Sequence, residues 1–255
     1  MKRNRILWSA TSIFIFSVLL TPPLIKADIL IKKVKHTDEA TMLGETRPAK
    51  DEEGTTWISK DKMREDMGEN STIVRYDIQK IYILNHSEKT YSEIDMPINL
   101  EEIVPAEGKQ ILQTIQISAK VSDAGETMTI KDWKCKKYQV EVNASLMGMN
   151  MPMTIELWTS KDLGIDQKIY NRFLKELLSL NPMTKDLVEE FEKIEGYPVR
   201  SLFSMSVMDT ETKSKEEVVS VEEKDAPEET YELPEGYTLK PFNPFEQESE
   251  EDKDK

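Results

Sequence analysis

The sequence has few of the residues from which enzymes most often build catalytic sites. Among 255 residues there are one cysteine and two histidines, and the nine glycines are scattered. Cys135 cannot form an internal disulfide, and as a nucleophile it would need a base that no motif around His36 or His86 supplies. We therefore expect a buried, inert thiol. Two histidines also exclude the common zinc patterns, and scattered glycines exclude a phosphate-binding loop. The chain is predicted to be no enzyme and to need no cofactor.

Basic charge is also in short supply. The chain carries 34 Lys and Arg against 48 Asp and Glu, for a net charge of −14. This balance argues against sequence-independent binding to nucleic acid or to an anionic lipid surface, since both reward clusters of Lys and Arg. A positively charged partner fits better. The last ten residues, 246–255, read EQESEEDKDK and predict an acidic disordered tail.

No apolar run is long enough for a typical membrane span, which needs about 20 residues. The longest run covers residues 6–20 and follows a basic start, while two prolines and the small Ala27 come after it. This order is typical of a secretory signal peptide over residues 1–27. We expect cleavage near Ala27, a mature chain that begins near Asp28, and a periplasmic or secreted location.

Period-2 alternation dominates what remains, and it predicts strands. The expected strands cover residues 29–35, a meander of short strands within 55–94, and then 111–121, 134–142, 154–158, 198–209 and 212–224. Residues 37–54 are expected to form a long loop and residues 97–108 a connection. A symmetric turn at 85–88 would place Tyr82 opposite Tyr91.

Helical periodicity appears only once, late in the chain. Apolar residues recur at helical spacing from Ile165 to Leu178, and Asn181 with Pro182 predicts the start of a second helix that ends before Gly196. Two amphipathic helices must bury their apolar stripes against the sheet. We predict a mainly β, α+β fold over residues 28–245, in which two consecutive helices pack in the concave face of a curved antiparallel half-barrel sheet.

Four methionines alternate with other residues in the segment SLMGMNMPMT. Met147, Met149, Met151 and Met153 lie on one side of an extended segment or flank a hairpin turn. Thioether clusters outside the cytoplasm suit Cu(I). Flexible methionines equally suit an adaptable hydrophobic surface. Both interpretations are open at this point.

Several short segments together resemble a family of secreted bacterial proteins of unknown function with a lipoprotein-carrier-like domain, similar to LolA, LolB and RseB. The resemblance covers residues 28 to about 245. It is carried by residues 57–66, 73–77 and 80–82, and by the segments KCKKY at 134, IELW at 155, GYPV at 196 and LPEGY at 233.

The resemblance implies that the concave face holds acyl chains and that an arginine on an early strand keeps a lid closed. Arg64 matches this arginine best, with Arg75 as a rival. The residues expected to contact a ligand are Trp57, Met63, Arg64, Tyr82, Tyr91, Met147 and Met149. Ordinary cross-strand packing is the alternative for Trp57, Tyr82 and Tyr91.

The sequence thus predicts a monomeric, non-enzymatic binding protein that holds a lipid, an acyl chain or a lipidated protein in an apolar groove. Two alternatives stand beside this hypothesis. One is copper handling through Met147, Met149, Met151 and Met153. The other is a protein-interaction or stress-sensing module of the cell envelope.

Overall fold

The structure, a computed structural model, describes residues 27–42, 45–182, 184, 187–207 and 210–245. In these residues the protein is mostly β with few helices, as predicted. The strands are β1 (Ile29–Thr37), β2 (Ala40–Met42), β3 (Glu45–Arg47), β4 (Lys50–Ile58), β5 (Lys62–Met67), β6 (Asn70–Arg75), β7 (Lys80–Asn85), β8 (Thr90–Asp95), β9 (Gln116–Ile130), β10 (Trp133–Leu146), β11 (Met149–Ser160), β12 (Tyr197–Val207), β13 (Thr210–Glu223) and β14 (Thr238–Leu239). The helices are α1 (Leu100–Ile103), α2 (Ala106–Leu112), α3 (Gln167–Leu180) and α4 (Val188–Phe191), and a 3-10 turn covers Glu228–Tyr231.

Twelve of these strands form one large, open, curved sheet in the order β14-β8-β7-β6-β5-β4-β1-β13-β12-β11-β10-β9. Every pairing in this sheet is antiparallel except the short one between β14 and β8. Strands β2 and β3 form a separate pair. Because β1 pairs with both β4 and β13, it joins the two meanders into a single sheet.

Alternation along each strand gives the sheet two different faces. In β10, Val140, Val142 and Ala144 are buried, whereas Glu141 and Asn143 between them are exposed. The buried set lies on the face that α3 and α4 cover, and we call this the helix-covered face. The pairing register carries this face across β1 from one edge of the sheet to the other.

Helix α3 is amphipathic, and its start is capped. The side chain of Asp166 accepts hydrogen bonds from the backbone N–H groups of Lys168 and Ile169. Phe173, in the middle of the helix, is fully buried against the core. The Tyr76 hydroxyl donates to the carbonyl oxygen of Arg172 at 2.8 Å, and the rings of Tyr76 and Phe173 lie 5.4 Å apart. Helix α3 is therefore tied to the turn after β6.

The opposite face of β5–β8 is covered by a segment from late in the chain. Residues 226–240, which we call the C-terminal strap, cross this face and include the 3-10 turn and β14. Tyr231 of the strap is buried with Ile73, Tyr82 and Leu84 of the sheet. The sheet is thus covered on both faces in this half, by α3 on one side and by the strap on the other.

The predictions for two connecting segments, residues 37–54 and 97–108, are wrong. The predicted loop over residues 37–54 contains β2, β3 and the first half of β4. Strand β4 forms despite its polar composition because it pairs with β1 along its whole length. Residues 97–108 include α1 and the start of α2, so Ile111 lies in a helix and the next strand begins at Gln116. The side chain of Asn99 caps α1 by accepting a hydrogen bond from the backbone N–H of Glu101. This capping residue is the sequence signal for α1 that the search for alternation missed.

Among the described residues of the predicted helix from Asn181 to residue 194, α-helix is confined to the four residues of α4. Asn181 ends α3 instead of starting a new helix, and its backbone N–H donates to the carbonyl oxygen of Leu178. The Thr184 hydroxyl donates to that same carbonyl at 2.7 Å. Pro182 has no N–H to continue the helix, so local capping chemistry favours a turn here.

The pairing of Tyr82 with Tyr91 also differs from the prediction. Tyr91 is opposite Leu84, and Tyr82 is opposite Glu93. The turn at residues 86–89 starts one position later than a symmetric closure at 85–88 would require, so every partner shifts. The two rings still meet diagonally at 6.4 Å between centroids.

The predicted signal peptide over residues 1–27 and the predicted acidic tail over residues 246–255 fall almost wholly outside the described residues. Within the described part of the chain, the helices are all too short or too polar to cross a membrane.

Candidate functional site

The helix-covered face has two halves that differ in how completely they are filled. Under α3, the rows from β1 to β8 are packed with the protein's own side chains. Ile31, Val74 and Ile81 have no exposed surface, and Phe173 fills the space above the sheet. This half is a finished core.

One charged side chain is buried within this finished half. Lys33 of β1 is only 4% exposed and bonds the carboxylate of Glu65, while Glu216 lies 3.3 Å from its ammonium nitrogen. Burial alone lowers a lysine pKa, but these carboxylates and nearby Tyr197 outweigh it and raise the pKa of Lys33. Burial also raises the pKa of Tyr197 to about 12. The cluster joins β1, β5, β12 and β13 beneath α3.

The other half of this face, on β9–β12, is less completely covered. Leu187 and Ile194 are buried against Val140 and Leu157, and Phe191 of α4 packs beside them. Glu190 accepts a hydrogen bond at 3.1 Å from the backbone N–H of Val121, which holds α4 at the β9 edge. Helix α4 has only four residues, so it covers only a small part of the face on β9–β12.

Apolar side chains continue on β9–β12 toward the hairpin turn at Met147–Gly148. Cross-strand pairing arranges them in rows on the helix-covered face, and most members are only partly buried. We call these the apolar rows: Val121, Val140, Ile155 and Phe203 form the first; Ala119, Val142, Met153 and Met205 form the second; Ile117, Ala144 and Met151 form the third. This surface is the strongest candidate for a binding site in the described residues.

The structure does not bring the predicted ligand residues together. Trp57, Arg64, Tyr82 and Tyr91 lie on the face under the C-terminal strap, where Trp57 and Tyr91 are partly buried and Tyr82 is buried. Met63 lies on the helix-covered face in the finished core, with 3% of its surface exposed.

Met149 lies on the helix-covered face at the tip of the β10–β11 hairpin, where it is 38% exposed. Met147 occupies the turn itself and is 67% exposed. Of the seven residues, Met149 alone lies beside the apolar rows.

Both arginines named from the sequence hold the strap. Arg64 donates to the carbonyl oxygen of Thr230 at 3.1 Å, and Arg75 donates to that of Tyr231 at 3.0 Å. Arg75 also pairs with Asp77 and Glu232. The segment that Arg64 and Arg75 hold against the sheet is the C-terminal strap.

Reasoning from sequence missed the residues of β12 that face the site. Phe203 and Met205 lie directly opposite Ile155 and Met153. The alternation in the segment SLFSMSV carries this signal, because Phe203 and Met205 stand two residues apart. Strand neighbours cannot be read from alternation, so their place beside the methionines of β11 required the pairing.

Cys135 is buried, as expected, with 2% of its surface exposed. Burial raises the pKa of its thiol, so less of the reactive thiolate is present at neutral pH. We expect iodoacetamide to modify the native protein at least about 100-fold more slowly than the unfolded chain, as an opening free energy of about 3 kcal/mol requires. The measurement is mass spectrometry over time, with protein in guanidinium chloride as the reference. Equal rates in both states would show that Cys135 is accessible.

Among the described residues, no group of three or more His, Cys, Asp and Glu side chains is arranged to hold a metal ion. A cation site in this part of the chain would need other donors.

Comparison with curated proteins finds no relative. Two solved structures of PNGF-II in different space groups are similar to the chain. One is 13% identical with a TM-score of 0.40, and the other is 12% identical with a TM-score of 0.36. Each alignment covers 84% of this chain and 31% of the PNGF-II chain, so the protein spans about a third of their length. The profile of a domain of unknown function, DUF4412, matches residues 40–237. The chain belongs to the DUF4412 family.

Proposed function

We propose that the protein is a non-enzymatic binding protein of the periplasm or the extracellular space, and that it holds an acyl chain of a lipid or of a lipidated protein against the apolar rows. A curved sheet with helices on one face is the arrangement that the resemblance to the lipoprotein carriers implies. The signal-peptide pattern of residues 1–27 supports the location.

The observation that carries this proposal is the difference between the two halves of the helix-covered face. Under α3 the face is closed by Phe173 and its neighbours. Over β9–β12 the short α4 leaves the cross-strand neighbours Phe203 and Ile155 partly exposed, and Ile117 in the third row is partly exposed as well. Contiguous apolar surface of this kind marks binding sites in proteins that fold in water.

The chemistry of the surface favours an apolar ligand over a charged one. The three rows contain apolar side chains on four neighbouring strands, and methionines at their outer end can adapt to ligands of different shape. An acyl chain needs contact area without hydrogen bonds. The apolar rows offer that.

A dansyl-labelled fatty acid tests the proposal. We expect about one molecule to bind per chain, with an increase in fluorescence when the dansyl group leaves water. Phe203→Ser should weaken binding at least about tenfold, because the loss of one buried aromatic contact costs on the order of 1.5–3 kcal/mol and each 1.4 kcal/mol is a factor of about ten.

Leu202→Ser is the matched control, since Leu202 is the adjacent residue, points to the opposite face and is 38% exposed. It should bind the probe as the parent does. Equal weakening by both substitutions would indicate a general loss of structure, and no effect of Phe203→Ser would remove the apolar rows as the site. Melting temperatures of both variants separate these outcomes.

A further inference from the structure

The outer end of the apolar rows concentrates thioether sulfur from two strands. Met149, Met151 and Met153 alternate along β11, so their side chains lie on one face. Met205 of β12 is the direct cross-strand partner of Met153. Met205, which lies 52 positions after Met153 in the chain, therefore joins three of the four methionines of the segment SLMGMNMPMT.

The distances within this group allow several sulfurs to approach one point. Directly opposed residues of an antiparallel pair have Cβ atoms about 4.5–5.5 Å apart, and residues two apart on a strand lie about 6.8 Å apart. Met153 is next to Met205 across the strands and next to Met151 along its own strand. Methionine has three rotatable bonds, so these three sulfurs can turn toward a shared centre.

Met147 does not belong to this group. It occupies the hairpin turn with a φ of 51° and is 67% exposed, whereas Met151, Met153 and Met205 are partly buried on the sheet. The group in the structure therefore differs from the one identified in the sequence, because it lacks Met147 and includes Met205.

The surroundings favour one class of ion. Next to the three methionines on this face are Val142, Ala144 and Thr212, and none of these carries a carboxylate, an imidazole or a thiol. Neutral, soft thioether ligands select soft monovalent cations such as Cu(I), while hard cations need oxygen ligands. The net charge of −14 also raises the local concentration of cations.

We propose that Met151, Met153 and Met205 form a binding site for Cu(I), with Met149 at its open edge. This site shares three side chains with the apolar rows, but it uses their sulfur atoms, whereas acyl-chain binding uses their apolar bulk. Leucine keeps that bulk and removes the sulfur, so one variant separates the two.

The test measures Cu(I) under anaerobic, reducing conditions in competition with the chelator bicinchoninate. Parent and variants carry Cys135→Ala, which removes the chain's one thiol. We expect one Cu(I) per parent chain and a melting temperature that rises with Cu(I) concentration. The triple variant Met151→Leu, Met153→Leu, Met205→Leu should lose at least about 100-fold in affinity, since changes to mere outer-shell groups already cost 10–100-fold.

Met128→Leu is the control, because Met128 is 38% exposed on β9, away from the group on β11 and β12. It should bind Cu(I) as the parent does. Affinity should be equal at pH 5 and pH 7 once proton binding by the chelator is corrected for, since thioethers do not titrate. X-ray absorption should show sulfur as the main ligand of copper.

The proposal is overturned if the parent does not bind Cu(I), if the triple leucine variant binds as well as the parent, or if oxygen and nitrogen dominate the copper shell. The dansyl fatty acid should still bind the triple leucine variant. In the parent, binding of the fatty acid without Cu(I), or of Cu(I) without the fatty acid, shows which of the two proposals has failed.

Discussion

Replacing Phe173 with alanine is expected to lower the free energy of unfolding by about 3–5 kcal/mol, the range for removal of a large buried aromatic side chain. Phe173 has no exposed surface, and it contacts the ring of Tyr76 at 5.4 Å between centroids. Its removal leaves a cavity between α3 and the sheet, which the tightly packed neighbours cannot fill. Urea unfolding followed by circular dichroism measures the change.

Lys175→Ala on the same helix is the matched control. Lys175 is exposed on the outer side of α3, so the substitution should change the free energy of unfolding by no more than about 0.5 kcal/mol. A loss below about 1 kcal/mol for Phe173→Ala would contradict the structure. It would mean that α3 lies open over the sheet, and that the half of the face under it is also available to a ligand.

The second large effect concerns the buried Lys33. Replacing both Glu65 and Glu216 by glutamine is expected to destabilise the protein by about 3 kcal/mol, because the buried ammonium group of Lys33 is left without a charged partner. The estimate is at the lower end of the usual range, since the two carboxylates are 30% and 35% exposed. Lys33→Met, which removes the buried charge itself, should cost no more than about 1 kcal/mol.

The pH dependence of this effect has a defined sign. In the parent the pKa of Lys33 is raised, so its contribution to stability is complete below the ordinary lysine pKa and is lost as pH rises above it. In the double glutamine variant burial lowers the pKa, so the unfolded chain binds more protons and stability rises with pH. The difference in free energy of unfolding between the parent and the double glutamine variant should therefore become smaller from pH 7 to pH 10. A difference that widens, or a larger cost for Lys33→Met than for the double variant, would refute this account of the cluster.

Strand and helix type were predictable where neighbouring residues decide them. Strands β10–β13 and helix α3 follow from alternation and from helical spacing, because each depends on which face of one element is buried. The buried Phe173 belongs to the apolar stripe of α3, whereas the burial of Cys135 was expected because no base accompanies its thiol. Where two local signals competed, as at Asn181 and Pro182, the cap of the preceding helix prevailed over the start of a new one.

The candidate site was predictable only in part, because it depends on which strands become neighbours. Met149, Met151 and Met153 were identified by their spacing, but Met205 joins them only through the pairing of β11 with β12. Trp57, Arg64 and Tyr82 share one face of the sheet. The C-terminal strap that covers this face lies more than 140 residues further along the chain.

The sequence by itself determined the mainly β class, the amphipathic α3, the acidic balance and the alternation that gives each strand an apolar side. These properties depend on residues close together in the chain. The tertiary structure alone decided the register of Tyr82 and Tyr91, the burial of Lys33 between two carboxylates, the cover of one face by the C-terminal strap and the surface left partly open on β9–β12. Each of these depends on contacts between distant segments, and local periodicity carries no information about which distant segment becomes the partner.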